Sequence, residues 1–127
     1  MVEDFYLYIL MRHDMDSLNP GKAVAQGAHA ANIFVEDINK RNTDFKREFK
    51  KWAGNRGYGT TITLSASERQ IYDLINASDV HYPRGLVIDE TYPLKDGRTT
   101  HYFPCMTCAY IFAPRRDPAL SHIELMK

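Results

Sequence analysis

Lys22 follows Gly21 directly after Asn19-Pro20, a pair that reads as the N-cap and first residue of a helix. A helix N-terminus offers free amides and the positive end of its dipole, so a lysine there completes a site for phosphate or a developing oxyanion. Asp89 ends the apolar run Leu86-Val87-Ile88 and is followed by Glu90 and Thr91. A carboxylate facing a lysine can act as a base or orient a water. Arg12 and Asp14 stand just beyond an earlier apolar run. Lys22, Gln26 and His29 fall at i, i+4 and i+7, which puts them on one helical stripe, expected opposite the apolar face. A water-facing stripe and a structural, hydrogen-bonding His29 are the plainer readings of that spacing.

Other chemistries fit less well. The phosphate-binding loop of nucleotidases needs a glycine five residues before Gly-Lys and a Ser or Thr after it; here those places hold Asp16 and Ala23. Cys105 and Cys108 lie three apart on a run read as strand, where they should face opposite sides, a poor start for a shared metal. Asp14, Asp89 and Glu90 gathering a divalent cation is a minor alternative. The expectation is therefore no metal and no cofactor. Between Lys40 and Lys51 lie Lys40, Arg41, Lys46, Arg47, Lys50 and Lys51 against Asp44 and Glu48. Such a cluster either contacts phosphates, with salt-dependent affinity, or is a solvated helical face.

The elements that must position these residues can be read from periodicity and punctuation. Phe5 to Met11 is continuously apolar, as a central strand covered on both faces would be. A helix from Pro20 to about Lys40 shows Val24, Ala28, Ala31, Val35 and Ile38 on one side. Asp44 to Trp52 reads as a short basic helix and Thr60 to Leu64 as a strand. Ser65-Ala66-Ser67-Glu68 carries a capping-box pattern ahead of Ile71, Leu74 and Ile75. Leu86 to Ile88 and Thr107 to Ala113 are two further strands, joined through an inserted hairpin at about 92–104 with its turn at Asp96-Gly97. Three strands separated by helices should run parallel and the last antiparallel. The expected fold is a single α/β domain over residues 1–127, a three-layer αβα sandwich around a mixed four-stranded sheet.

Bulk properties agree. A chain of 127 residues is one domain by size. Sixteen basic and sixteen acidic residues cancel, which argues against indiscriminate binding to polyanions. Two cysteines make no disulfide framework, the opening Met1-Val2-Glu3-Asp4 is no signal peptide, and no apolar run is long enough for a bilayer. The expectation is a cytoplasmic protein with no membrane partner; a homodimer is left open.

Arg12-x-Asp14-Met15, followed by Gly21-Lys22-Ala23-Val24-Ala25-Gln26-x-x-His29-Ala30, closely resembles the opening signature of the second, archaeal-and-eukaryotic type of peptidyl-tRNA hydrolase. In that family the pattern is Arg-x-Asp-Leu, a Met, then Gly-Lys-x-Ala-Ala-Gln-x-x-His-Ala. Trp52 ahead of the second strand and Asp89 after the third extend the likeness over most of the chain. The resemblance implies hydrolysis of the ester joining a peptide to the terminal ribose of tRNA, without metal. It implies Lys22, Asp89, Thr91 and His29 as catalytic candidates. Arg12, Asp14, Gly21 and Gln26 are implied as substrate contacts, and Lys46, Arg47, Lys50 and Lys51 would hold the tRNA backbone.

The chain departs from the family pattern in three places. The loop before Gly21 is one residue longer. No lysine stands near Gly59-Thr60, where the family places a second one. The family's Asp-x-Gly-x-Thr after the third strand is replaced by Asp89-Glu90-Thr91-Tyr92-Pro93, with a Gly97-Arg98-Thr99 copy later. Strand position favours Asp89 and Thr91 as the equivalents; local spelling favours Asp96 and Thr99. Asp89 is preferred because it directly ends an apolar strand. The Asp-x-Thr-Tyr-Pro run also looks like members from tailed phages. A non-catalytic protein binding tRNA or a nucleotide on the same fold is the competing reading.

Overall fold

The computed structural model describes residues 3–77, 80–115 and 117–126. Strand β1 (Phe5–Arg12) leads into helix α1 (Pro20–Lys40), a 3-10 turn (Thr43–Phe45) and helix α2 (Lys46–Gly54). Strand β2 (Thr61–Ala66), helix α3 (Glu68–Ile75) and the long strands β3 (Arg84–Asp96) and β4 (Thr99–Pro114) follow. A second 3-10 turn (Pro118–Leu120) and a two-residue strand β5 (Glu124–Leu125) end the described chain.

One mixed sheet has the order β3-β4-β1-β2-β5. β1 pairs parallel with β2 and antiparallel with β4, and β4 pairs antiparallel with β3. Two reversals bring β3 back into the direction of β1, so the expected sense of the four strands holds. The count is corrected from four to five: β5 is two residues long, too short to show a period in sequence.

β1 is apolar throughout because both of its faces are covered. Leu7, Ile9 and Met11 pack with Ala23, Ala30, Phe34 and Ile38 of α1; Tyr8 and Leu10 pack with Ile71 and Leu74 of α3. This makes the three layers. The side chains of Phe45, Phe49 and Trp52 extend the α1 layer over Phe5 and Phe112.

α1 has its expected bounds: the Asn19 Oδ1 accepts from the Lys22 amide at 2.9 Å and Pro20 opens the helix. Its rotation differs from the expectation. Val24 is 75% and Val35 38% exposed, and the buried line is Ala23, Gln26, Ala30, Phe34 and Ile38. The two lines share Ile38 and are offset by one or two residues ahead of it, and Phe34 decides between them because it buries far more apolar area than any alanine. In consequence Gln26 lies under the helix against the sheet, 4% exposed, rather than opposite the apolar face.

The capping box of α3 also moves, from Ser65–Glu68 to Ser67 and Gln70. β2 stays in register with β1 as far as Arg12↔Ala66, so the helix cannot begin earlier. Ahead of β2, Trp52 donates its Nε1–H to the Thr60 carbonyl at 2.8 Å and lies flat on Gly59. A Cβ at Gly59 would stand 2.1 Å from the indole, and the residue holds φ +70, so only glycine fits.

Candidate active site

β3 and β4 form one hairpin from Arg84↔Ile111 to Asp96↔Thr99, with Gly97 at φ +63 in its turn. Its ladder slips twice. Between Val87 and Ile88 the partner jumps from Cys108 to Met106, so β4 carries an extra residue, Thr107. Between Asp89 and Tyr92 the partner moves only from Cys105 to Phe103, so β3 carries the extra residue. Each bulge breaks the alternation of faces. Ile88 and Asp89 thus sit between two bulges, and the side chains around them turn toward α1.

Asp89 is held from three directions. The Gln26 Nε2 donates to its Oδ2 at 2.7 Å, and the Thr91 amide and hydroxyl donate to its Oδ1 at 2.9 and 3.3 Å. The bond from Gln26, those from Thr91 and the nearby His29 together hold the carboxyl below its ordinary value, against a smaller desolvation effect. The Gln26 amide is itself fixed: the buried Thr107 hydroxyl donates to its Oε1 at 2.8 Å, which leaves Nε2 aimed at Asp89. Thr107 exists in this position because of the bulge. Sequence reasoning missed it, although a threonine opening the apolar run to Ala113 was a signal, since a buried hydroxyl needs a partner.

Lys22 lies one helical turn before Gln26. Its Nζ donates to the Pro93 carbonyl at 3.4 Å and stands 5.2 Å from the centre of the Tyr92 ring. Tyr92 is fully buried and its hydroxyl lies 3.0 Å from the Ser17 Oγ in the loop before α1. The start of α1 is thereby clamped to β3 just past Asp89. Lys22 and Asp89 make no ion pair among the described residues; they are connected through Gln26 on one side and Thr91–Pro93 on the other. Gly21 and His29 are exposed on the same stretch of helix, and His29 lines an open cleft of about 290 Å³ with Asn32, Ile33, Ile88 and Asp89.

Arg12 and Asp14 are occupied differently. The Arg12 guanidinium donates to Asp14 at 2.8 Å and to the Met106 carbonyl at 2.9 Å, and pairs with Glu68 at 3.0 Å. The other Asp14 oxygen accepts from the Glu68 amide at 3.0 Å, the first turn of α3. Burial is the largest single effect and opposes the charge on each, but the mutual bond and attraction, with the Glu68 charge acting on Arg12 and the Glu68 amide on Asp14, together outweigh it, raising Arg12 and lowering Asp14. The pair ties the end of β1 to the middle of β4 and the start of α3. Among the described residues no three His, Cys, Asp or Glu side chains gather as a metal set.

The first bulge overturns the expectation that Cys105 and Cys108 face opposite sides. Cys108 lies in the α1-side core, its thiol donating to the Gln26 carbonyl at 3.5 Å and pushed by burial up to about 11. Cys105 is in register with Asp89, 4.0 Å from the Met15 sulfur. The other sequence candidates are not brought to this site. Asp96 is 88% exposed near the hairpin turn, 4.0 Å from His101. Lys46, Arg47, Lys50 and Lys51 lie on α2 beside the start of β1, where Lys51 pairs with Asp4 at 2.8 Å. β1 separates the two ends by roughly 20 Å, from about 3.3 Å per residue.

The arrangement is that of an α/β protein with a lysine at the start of α1, past the carboxyl end of β1, and a carboxylate partway along β3 where that strand runs on beyond β1; open sheets bind ligands at that end. Residues 5–122 match the family model described as peptidyl-tRNA hydrolase PTH2, and the chain belongs to that family. No curated protein matches it. Among the described residues, no helix is long and apolar enough to cross a membrane.

Proposed function

We propose that the chain hydrolyses the ester between a peptide and the terminal ribose of tRNA, with Asp89 at the centre of the site. The observation that carries this reading is the fixing of Asp89 by Gln26 and Thr91, one helical turn from Lys22, in a chain of this family. Water adds to the ester carbonyl, and the tetrahedral oxyanion then expels the ribose oxygen. That oxygen takes up the proton the water gives up, and the peptide's carboxyl group then ionises, releasing one proton to solvent. A carboxyl held below 3.8 is a weak base, so Asp89 aligns the water and offsets positive charge as the O–H bond weakens. Lys22 swings from the Pro93 carbonyl to the oxyanion or to a neighbouring phosphate. His29, at the exposed rim, is placed to contact substrate.

The basic α2 would meet the tRNA backbone at a distance from the ester, as a ligand of that size allows. The place of the missing second lysine, by Gly59-Thr60, lies at this same far end, since the Leu7 amide bonds the Thr60 carbonyl. Its absence leaves the surroundings of Asp89 intact, and the non-catalytic alternative loses its main support. A metal-dependent phosphodiesterase built on Asp14, Asp89 and Glu90 fares worse, because Asp14 is already bound by Arg12 and the Glu68 amide. The test is release of peptide from a defined peptidyl-tRNA with and without EDTA. Release that survives chelation is expected; loss with EDTA and rescue by magnesium or manganese overturns the reading.

A further inference from the structure

We infer that the groove between α1 and the free edge of β3 binds the peptide part of the substrate as an added, extended strand. The inference rests on the reading of Asp89 as the hydrolytic centre. The cleft at Asp89 shares Asn32 and Ile33 with a second cavity of about 670 Å³, which runs past Leu86 and Tyr110 toward the end of α1. With these walls in common the two lie side by side along α1, the second farther from the carboxylate. Beside them, β3 is the outermost strand of the sheet.

The backbone of β3 is available there. The Phe112 amide donates to the Pro83 carbonyl at 2.8 Å, and the ladder continues through Gly85↔Tyr110 and Val87↔Cys108. Antiparallel strands alternate their bonding, so Arg84 and Leu86 turn their amides and carbonyls outward. Such an edge is a template for another strand. From Asp89 to Arg84 it is roughly 17 Å long at about 3.3 Å per residue, room for some four or five peptide residues.

The walls suit a peptide of any sequence. Ile88 is 53% and Ile33 41% exposed, giving apolar contact near the ester. Farther along, Glu36 and Asp37 stand against Lys40 and Arg41, and the third basic residue of the lining, Arg84, has its guanidinium committed to the carbonyls of Ile75, Ala77, Val80 and Tyr82, so neither sign dominates. Recognition then falls to the backbone edge, which every peptide can satisfy. A hydrolase facing peptides of varied sequence needs that indifference.

The test compares N-acetyl-alanyl-tRNA with N-acetyl-tetraalanyl-tRNA, alongside amide NMR of the protein titrated with free N-acetyl-tetraalanine. Two or more added backbone hydrogen bonds should make kcat/KM for the longer substrate at least about tenfold higher, mainly through KM. In Ile33→Glu that ratio should fall toward one. The free peptide should shift amides within 32–41 and 84–89. Equal kcat/KM for the two substrates in the wild type overturns the groove even if both are cleaved. If neither is cleaved, those NMR shifts still establish the groove while the hydrolase reading falls, and their absence then overturns the groove as well.

Discussion

Replacing Gln26 by Met keeps the length of the side chain and removes its amide. Met fills the buried space beneath α1, so packing should change by less than about 1.5 kcal/mol. Two bonds disappear: the 2.7 Å bond to Asp89 and the 2.8 Å bond from the Thr107 hydroxyl. A hydrogen bond to a charged acceptor is worth about 1.5–3 kcal/mol, which corresponds to a roughly 10- to 150-fold fall in kcat/KM if Asp89 must be held for the reaction. The pH dependence makes the prediction specific. Gln26 is the largest influence holding Asp89 below 3.8, so its removal raises the carboxyl and moves the acid limb of the kcat/KM profile to higher pH. The stability sign follows from the same shift. A depressed carboxyl stabilises the fold above its unfolded value and loses that contribution as pH falls through the folded value. The stability gap between wild type and Gln26→Met should therefore narrow as the pH falls below the ordinary carboxylate range. Thr107→Val should shift the acid limb the same way but less, and the double variant should lose little beyond Gln26→Met, because both act through one amide. A folded Gln26→Met protein with an unmoved acid limb would refute the coupling.

Lys22→Ala should lower kcat by on the order of a hundredfold, the cost of one oxyanion donor, with folding retained because the Asn19 cap bonds the backbone amide of residue 22. A folded variant with wild-type turnover excludes the role. Replacing Lys46, Arg47, Lys50 and Lys51 together by alanine should weaken tRNA binding and flatten its salt dependence by roughly one unit of slope for each phosphate no longer neutralised. The exposed Lys51–Asp4 pair adds little stability, so the fold should persist; an identical slope marks α2 as a solvated face.

How much of this was legible depends on the physics behind each element. The start of α1 was readable because Asn19 and Pro20 act locally. Its rotation was not, because small alanines on several faces leave the choice to tertiary packing, and Phe34 makes it. That small rotation hid the role of Gln26, which looked solvent-facing and is the first influence on the Asp89 carboxyl. The extent of β3 and β4 was underestimated for a related reason: two bulges interrupt the period of two, so residues 90–106 look irregular in sequence and continue the ladder in space. The same bulges hid the burial of Thr107 and put Cys105 and Cys108 on one side. Asp89 could be singled out because the apolar run Leu86–Ile88 stops there, but it does not end the strand: β3 continues to Asp96, and Asp89 is held within the ladder between the two bulges.

The most direct test of the account is peptide release from one defined peptidyl-tRNA by wild type, Asp89→Asn and Asp96→Asn, each checked for folding. A sheet-anchored carboxylate keeps the sub-ångström placement that catalysis needs, whereas one near a hairpin turn is solvated and unconstrained. Release should be abolished in Asp89→Asn and nearly unchanged in Asp96→Asn. Loss in Asp96→Asn with activity retained in Asp89→Asn would contradict the account and move the site to the hairpin.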